Sequence, residues 1–229
     1  MGSCEFETER KTETVINGLA MSFMGGTSVA PLMNAVVVVG HQFLSPYPVD
    51  LTVTEKTMSL TDGDYAVTDA NGNVFFKVKG KLISLRDKRL LQDASGNTLL
   101  TMREKMMSMH RRWQAFRGES SDAKDLLFSV KKSSLLQFKT ALDVFLASNT
   151  KEEVPDFKIQ GSYFERSCTI YNGDASIVIA QMSKRYTAMN IVLGKDVFGV
   201  TVYPNVDYAF ITALIVMLDE INKDKDGRD

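Results

Sequence analysis

The chain has 229 residues, of which 44% are apolar and 24% are charged, and its formal net charge is −1. This composition predicts one globular domain with a sizeable core, and it argues against a disordered chain and against general nucleic-acid binding through a basic surplus. The two cysteines, Cys4 and Cys168, stand far apart in unlike contexts, which argues against a disulfide framework or a paired-cysteine metal site.

The first residues form a candidate lipid anchor. Removal of Met1 exposes Gly2, the acceptor residue for myristate, and Cys4 lies close enough to take palmitate, so the pair would supply two chains. The myristoylation pattern has Ser or Thr where this chain has Phe6, and the acidic neighbours oppose an anionic membrane. Lipidation at Gly2 and Cys4 is therefore a secondary hypothesis. The acidic start also lacks the basic segment of a signal peptide.

From residue 51 onward, short β-type runs alternate with turn sequences. Residues 51–58 alternate between apolar and polar side chains, and residues 65–68 and 74–78 flank the turn Asp69-Ala70-Asn71-Gly72-Asn73. An Asn-Gly pair between two such runs predicts a β-hairpin, because both residues tolerate positive φ. A similar turn recurs at residues 93–97. Repeated hairpins favour an antiparallel meander or barrel.

More strand candidates follow, and together they make roughly a dozen strands of ordinary length. Residues 133–140 are typical of either a strand or a helical turn, and the pattern does not separate the two. The candidates after residue 97 are residues 98–102, 113–116, 127–131, 142–146, 157–160, 168–171, 176–182, 189–193 and 198–203.

The C-terminal part predicts a buried helix. After Pro204, either Asn205 or Asp207 can cap a helix whose interior, residues 208–218, is apolar on every face. Such a helix must be covered on all sides, yet its apolar part is shorter than the ~20 residues of a membrane span, and acidic residues follow at once from Asp219 onward. A β-barrel wrapped around the helix satisfies both conditions.

Several segments of the chain resemble the plant LURP-one-related family over roughly residues 36–222. They are Pro46-Tyr47-Pro48-Val49-Asp50, Met58-Ser59-Leu60-Thr61-Asp62-Gly63, Asp69-Ala70-Asn71-Gly72-Asn73, Arg103-Glu104-Lys105-Met106-Met107-Ser108-Met109-His110, Arg112-Trp113-Gln114-Ala115-Phe116-Arg117-Gly118 and Val200-Thr201-Val202-Tyr203-Pro204-Asn205-Val206-Asp207-Tyr208-Ala209-Phe210. The resemblance implies a mainly β fold of the tubby-like type, a closed barrel of roughly twelve antiparallel strands around a buried C-terminal helix. Phospholipid scramblases are expected to share this architecture.

The resemblance also sets the expected domain organisation and function. Residues 1–35 would be a mobile arm, residues 36–222 the barrel with its helix at about 206–221, and residues 223–229 a charged tail. Members of the family are associated with plant defence, and the related tubby domains bind phosphoinositides and tether a transcription regulator to the plasma membrane. Fold alone does not carry function, so the ligand stays open.

The sequence offers little catalytic chemistry. Its two histidines, His41 and His110, have no recognisable partner motif, and Cys168 lies in an apolar strand pattern typical of a core residue. The sequence contains no metal-ligand spacing and no phosphate-binding loop. We therefore expect a non-enzymatic protein without a metal or cofactor.

Basic residues are the stronger functional signal. Lys77, Lys79 and Lys81 alternate along one strand and are followed by Arg86, Lys88 and Arg89, so they could form one outward anion-binding patch on a barrel. The bases that could extend it are Arg103, Lys105, Arg111, Arg112, Arg117, Lys131, Lys132, Lys184 and Arg185.

The expected ligand of this patch is an anionic phospholipid headgroup, above all a phosphoinositide, at a cytoplasmic, plasma-membrane or nuclear location. Two alternatives remain open. The bases could belong to the solvated face of an ordinary barrel and bind no ligand. Alternatively, the barrel could be a scaffold that binds a protein and has no lipid ligand.

Overall fold

Twelve antiparallel strands close into a barrel around one C-terminal helix in the computed structural model of the protein. The structure describes residues 34–55, 64–80, 88–106, 108, 112–134, 139–173, 177–184 and 197–223. The elements are β1 (Val49–Glu55), β2 (Tyr65–Thr68), β3 (Val74–Gly80), β4 (Lys88–Asp93), β5 (Thr98–Glu104), β6 (Trp113–Arg117), β7 (Leu126–Lys132), β8 (Thr140–Leu146), β9 (Phe157–Ser162), β10 (Ser167–Asn172), β11 (Ile177–Lys184), β12 (Val197–Val202) and α1 (Tyr208–Lys223). The predicted barrel with a central helix is confirmed.

Each strand pairs with its neighbours in sequence, and β1 pairs with β12 to close the sheet. Two predicted hairpin turns form as expected. Gly72 adopts a φ of 86° and Gly96 a φ of 93°, and in each turn an aspartate accepts hydrogen bonds from the backbone two or four residues later. β4 was not among the predicted strands, and the strand predicted at residues 189–193 lies outside the described residues.

The two ends of the barrel differ in their connections. We call the end at which α1 begins the lower end and the end at which α1 finishes the upper end. Because the sheet is an up-and-down meander, the connections from β1 to β2, from β3 to β4 and so on lie at the upper end. The connections from β2 to β3, from β4 to β5 and so on lie at the lower end. This alternation decides which loops share a surface.

α1 fills the barrel, because every side chain it carries from Ala209 to Asn222 is buried. Its aromatic residue Phe210 lies 5.0 Å, centroid to centroid, from both Phe128 of β7 and Phe157 of β9. Burial of each large apolar side chain contributes about 1.5–3 kcal/mol as an upper estimate, so the helix is a main part of the core.

Asp207 caps the start of α1 and ties it to the N-terminal segment. Its Oδ1 accepts hydrogen bonds from the backbone N–H groups of Ala209 and Phe210, both at 3.0 Å. Its Oδ2 accepts from three successive backbone N–H groups, those of Val38, Val39 and Gly40. Of the two caps that the sequence allowed, Asp207 is the one used.

The end of α1 carries two acids. Asp219 and Glu220 are only 2% and 6% exposed, and both lie inside the upper end of the barrel. α1 extends to Lys223, and residues 224–229 lie outside the described residues. The proposed N-terminal arm lies outside them too, except for Asn34 and Ala35.

Candidate functional site

Two of the predicted ligand-binding lysines face outward on β3. Lys77 and Lys79 alternate with Phe76 and Val78, whose side chains are buried in the core. The Nζ of Lys77 donates a hydrogen bond to the carbonyl oxygen of Ala94 at 2.9 Å, which holds it towards the lower end. Lys79 is exposed and lies one residue from the upper end of its strand.

Lys88 extends this outward surface onto the next strands. It lies opposite Arg103 in the pairing of β4 with β5, so both side chains are on the same face. Lys79 lies opposite Leu90, two residues from Lys88 on the same face of β4. Lys79, Lys88 and Arg103 therefore lie on three adjacent strands near the upper end. The guanidinium of Arg103, however, stacks on the Phe116 ring at 4.7 Å and donates to the carbonyl oxygen of Ser121, in the lower-end β6–β7 connection, at 3.0 Å.

Arg89 does not join that surface. Because successive side chains of a strand point to opposite faces, Arg89 points into the barrel while Lys88 points out. Its guanidinium donates two hydrogen bonds to the carboxylate of Glu220, at 3.0 and 2.9 Å, and the two side chains are only 12% and 6% exposed. Arg89 therefore neutralises a carboxylate of α1 and is withdrawn from an external ligand.

The remaining predicted site residues cannot be placed. Lys81 and Arg86 lie outside the described residues, as do the candidate lipidation residues Gly2 and Cys4. Their assignment stays a prediction.

Basic side chains gather at the upper end beyond the predicted patch. They lie within two residues of the upper ends of the strands, and four of them, Lys79, Lys105, Lys139 and Lys184, are exposed. We call this group the basic rim, and its members are Lys79, Lys88, Arg103, Lys105, Lys132, Lys139 and Lys184. The acids of the described residues at this end that are not buried in the barrel are Asp64, Glu104 and Glu165.

The lower end has the opposite charge. Its described connections carry seven acids and only two bases, Lys124 and Lys151. The acids are Asp69, Glu119, Asp122, Asp125, Glu152, Glu153 and Asp156. The described part of the barrel is therefore electrically polarised along its axis, and an anionic partner is attracted to the upper end and repelled from the lower one.

One lower-end connection folds across the outer face of the barrel. Its residue Glu152 has a φ of 52° and binds the guanidinium of Arg112 through two hydrogen bonds of 2.5 and 2.6 Å, with the Nζ of Lys131 at 3.3 Å. These bonds, first that from Arg112, lower the pKa of Glu152 to about 2. Arg112 and Lys131 are thus held by one shared carboxylate, and we leave them out of the basic rim.

A buried polar cluster supports the upper end from inside. The carboxylate of Asp219 accepts hydrogen bonds from the hydroxyls of Tyr65 and Tyr163 and lies 3.4 Å from the guanidinium of Arg166. Arg166 also stacks on the rings of Tyr163 and Phe198, at 4.4 and 4.7 Å. Burial, followed by the charge of Asp219, raises the pKa of Tyr163, so the phenol stays protonated. The cluster fixes the β9–β10 turn to α1.

The described residues offer no evident covalent chemistry. Cys168 is a buried core residue, and burial raises the pKa of its thiol to about 11, so it is not a thiolate at neutral pH. His41 is exposed in a short 3-10 helix, and His110 lies outside the described residues. In the described part of the chain, no three potential metal ligands come together, and no helix is long and apolar enough to cross a bilayer.

Sequence reasoning left two features of the upper end out. Lys139 stands alone in a segment whose structure the pattern did not resolve, and no cluster of bases marks it. The apolar residues Met106 and Phe164 are 59% and 56% exposed, but nothing in a strand or turn pattern separates an exposed apolar side chain in a connection from a buried one. Only the closed barrel shows that these connections share one end.

Comparison with known proteins assigns the fold and the site to a family. The family model described as LURP-one-related matches residues 49–219, which span all twelve strands and most of α1. The chain belongs to the LURP-one-related family. Protein LURP-one-related 15 of Arabidopsis thaliana is 53% identical over 200 residues, covering 87% of this chain and 92% of that protein.

Further relatives agree. Protein LURP1 of Arabidopsis thaliana is 49% identical over 187 residues, which is 82% of this chain and 90% of that protein. An X-ray structure of an Arabidopsis thaliana protein is 45% identical and superposes with a TM-score of 0.65, covering 81% of this chain and 98% of that one. The basic rim is therefore part of a LURP-one-related barrel.

Proposed function

We propose that this LURP-one-related protein is a non-enzymatic binding and tethering module that captures phosphoinositides or other anionic phosphoryl ligands through its basic rim. The observation that carries the proposal is the set of exposed bases Lys79, Lys105, Lys139 and Lys184, at the end of the barrel that has the fewest exposed acids. The mechanism is electrostatic capture and needs no covalent step.

The energetics suit a reversible tether. A base near an anionic lipid surface contributes about 1 kcal/mol, so the exposed part of the basic rim supplies a few kcal/mol. This attraction falls off within a Debye length of about 8–10 Å, so binding by the rim is sensitive to salt. The acidic lower end is repelled by the same anionic surface, so the protein is oriented with its upper end towards that surface.

Two extensions of the proposal come from the family resemblance. The tubby-like architecture, which scramblases are expected to share, suggests phosphoinositides as the preferred headgroup, and Lys81 and Arg86 would then add to the capture by Lys79 and Lys88. The association of the family with plant defence suggests a signalling role. Lys77, which is held by Ala94 towards the lower end, is expected to contribute less than Lys79.

The test is co-sedimentation of the full chain with phosphatidylcholine vesicles that do or do not contain a phosphoinositide, at low and physiological salt. A triple variant, Lys79→Gln with Lys105→Gln and Lys139→Gln, is expected to bind about 100-fold more weakly, since three exposed bases are lost. The matched control changes Lys124→Gln and Lys151→Gln at the lower end and should bind like the unchanged protein. Equal binding by both variants would remove the basic rim from the site.

A protein-interaction scaffold is the second candidate function, and one surface favours it. The outer face of β1, β12 and β11 carries small uncharged side chains in register, among them Thr52, Thr54, Thr201, Gln181 and Ser183. Protein interfaces are depleted of charge at their centre, so this face suits a protein partner better than a lipid. The scaffold predicts no vesicle binding at either salt, together with a protein partner that is lost when Thr52 and Thr201 are changed to Lys.

A further inference from the structure

Two apolar side chains project from the upper end of the barrel, each beside a lysine of the basic rim. Met106 is 59% exposed and directly follows Lys105 in the β5–β6 connection. Phe164 is 56% exposed in the β9–β10 turn. Lys139 precedes the first residue of β8, which pairs with β9 beside that turn. An exposed aromatic or thioether side chain next to an exposed lysine is a combination that fits the interface of an anionic bilayer.

The turn that presents Phe164 is held rigidly from below. Tyr163 and Arg166, on either side of it, both bind Asp219 of α1. The turn is closed by the N–H of Arg166, which has a φ of 51° and donates to the carbonyl of Tyr163 at 2.9 Å. The Phe164 ring rests edge-on against Tyr163, with centroids 5.5 Å apart. A preorganised apolar tip loses little conformational entropy when it inserts into a partner.

The separation of the two tips favours a flat partner. Phe164 and Met106 lie on connections that are separated by the four strands β6, β7, β8 and β9, yet both connections emerge at the upper end. A planar surface can meet both tips together with the intervening basic rim. A free phosphate or inositol phosphate is too small to touch both.

Charge distinguishes this end from the lower end, where the other exposed large apolar residues of the described chain, Tyr47, Val74 and Val154, lie. Val154 is 63% exposed, but it lies at the lower end among acids such as Glu153 and Asp156. Phe164 has one acidic neighbour, Glu165, which opposes an anionic surface locally and makes the apolar contribution of Phe164 more important there.

We propose that the upper end docks on an anionic bilayer, with the basic rim against the headgroups and Phe164 and Met106 inserted between the lipids. This inference rests on the proposed function and deepens it, because it commits the anionic ligand to a membrane surface. Charge brings the protein to the membrane, and the two tips retain it there. Retention by the tips is hydrophobic, so it persists at salt concentrations that screen the rim.

The first experiment compares the full chain with Phe164→Ser and Met106→Ser on vesicles of phosphatidylcholine and phosphatidylserine. Each variant is expected to bind at least about tenfold more weakly at physiological salt, since burial of one large apolar side chain supplies that factor. Val154→Ser, at the lower end, is the control and should bind unchanged. Salt-sensitive binding that is equal in all four proteins overturns insertion and leaves the proposed function standing.

A second experiment detects insertion directly. The variant Phe164→Trp is mixed with vesicles whose lipids carry bromine in the acyl chains, which quenches tryptophan fluorescence on contact. The protein's own Trp113 is 2% exposed inside the barrel, so the unchanged protein supplies an unquenched background. Quenching of Phe164→Trp but not of Val154→Trp supports the proposal, and equal quenching of both overturns it. If the unchanged protein binds neither vesicle at any salt, this inference fails, whereas the proposed function fails only if the phosphoinositide vesicles are not bound either.

Discussion

At the scale of single residues, the charged side chains of this barrel serve two purposes. Those of the basic rim lie on the outside of the barrel at its upper end, whereas those attached to the end of α1 form ion pairs inside the barrel. Asp219 and Glu220 meet Arg166 and Arg89 there, each acid with its own base. A buried ion pair adds little net stability over apolar residues of the same volume, but removal of one partner leaves an uncompensated buried charge.

Asp219 provides the clearest test of that asymmetry. Asp219→Ala is expected to lower the free energy of unfolding by about 3–5 kcal/mol, because Arg166 loses its counter-charge and the hydroxyls of Tyr65 and Tyr163 lose their acceptor. Urea denaturation followed by circular dichroism measures the change. Glu165→Ala, an exposed acid one residue from Arg166, is the control and should stay within about 0.5 kcal/mol. Similar values for the two variants would mean that the cluster does not support the turn.

Glu152 makes a pH-dependent contribution to stability whose sign follows from its pKa. The folded-state pKa is lowered from the ordinary 4.5 to about 2, so the stabilisation is fully present above pH 4.5 and is lost as the pH falls towards 2. Compared with Glu152→Gln, the protein should be more stable at neutral pH by about 1–2 kcal/mol, a figure reduced for solvent screening. Urea denaturation across this range checks it. A difference that stays constant from neutral pH down to pH 2 would contradict the assignment.

At the scale of elements, the start of α1 depends on one carboxylate. Asp207 accepts hydrogen bonds from five backbone N–H groups, two in the helix and three in the N-terminal segment. The Oδ1 of an asparagine can accept hydrogen bonds from one of these two sets of N–H groups. Its Nδ2 then faces the other set, and because all of these groups are donors, that set loses its acceptor.

Asp207→Asn should therefore cost about 2–3 kcal/mol of unfolding free energy, although asparagine is ordinarily an excellent helix cap. The control is Asp69→Asn in an exposed turn, where Oδ1 can still accept from the backbone and only the exposed side-chain amide of Asn73 faces the new amide group, so it should cost far less. Thermal denaturation of both variants measures the difference. A mild effect of Asp207→Asn would show that the contacts with Val38, Val39 and Gly40 are dispensable.

The elements also show which parts of the fold a local sequence pattern can predict. The hairpins around Gly72 and Gly96 were predictable, because positive φ has a strong residue preference. β4 was missed, because its ends are charged and only Leu90 and Leu91 form its apolar part. The predicted helix included Asp219 and Glu220, but the sequence does not reveal that Arg166 and Arg89 pair with them inside the barrel.

At the scale of the whole molecule, closure of the barrel brings bases that are far apart in the sequence to its upper end, so that the described part of the molecule is basic at one end and acidic at the other. The sequence predicted the outward lysines of β3, because alternation alone places them. It named Lys105 and Lys184 among the bases that could extend the patch and left Lys139 out, and it could not place them beside Lys79, since these residues are up to about a hundred positions apart and only the closed meander brings their strand ends to one rim. The sequence therefore predicts that the site is basic, whereas only the closed fold shows where on the barrel the site lies.

The dependence of that fold on α1 gives the last prediction. A chain that ends at Pro204 loses the helix, whose buried side chains fill the interior with large apolar groups such as Phe210, Leu214 and Leu218. At about 1.5–3 kcal/mol for each such group, their loss exceeds the 5–15 kcal/mol by which domains are usually stable. The truncated protein should be insoluble or molten, without near-ultraviolet circular dichroism and with little dispersion in its amide spectrum. A well-folded truncated chain would overturn the central role of α1, and the turn that presents Phe164 would then need another anchor, because Asp219 is removed with the helix.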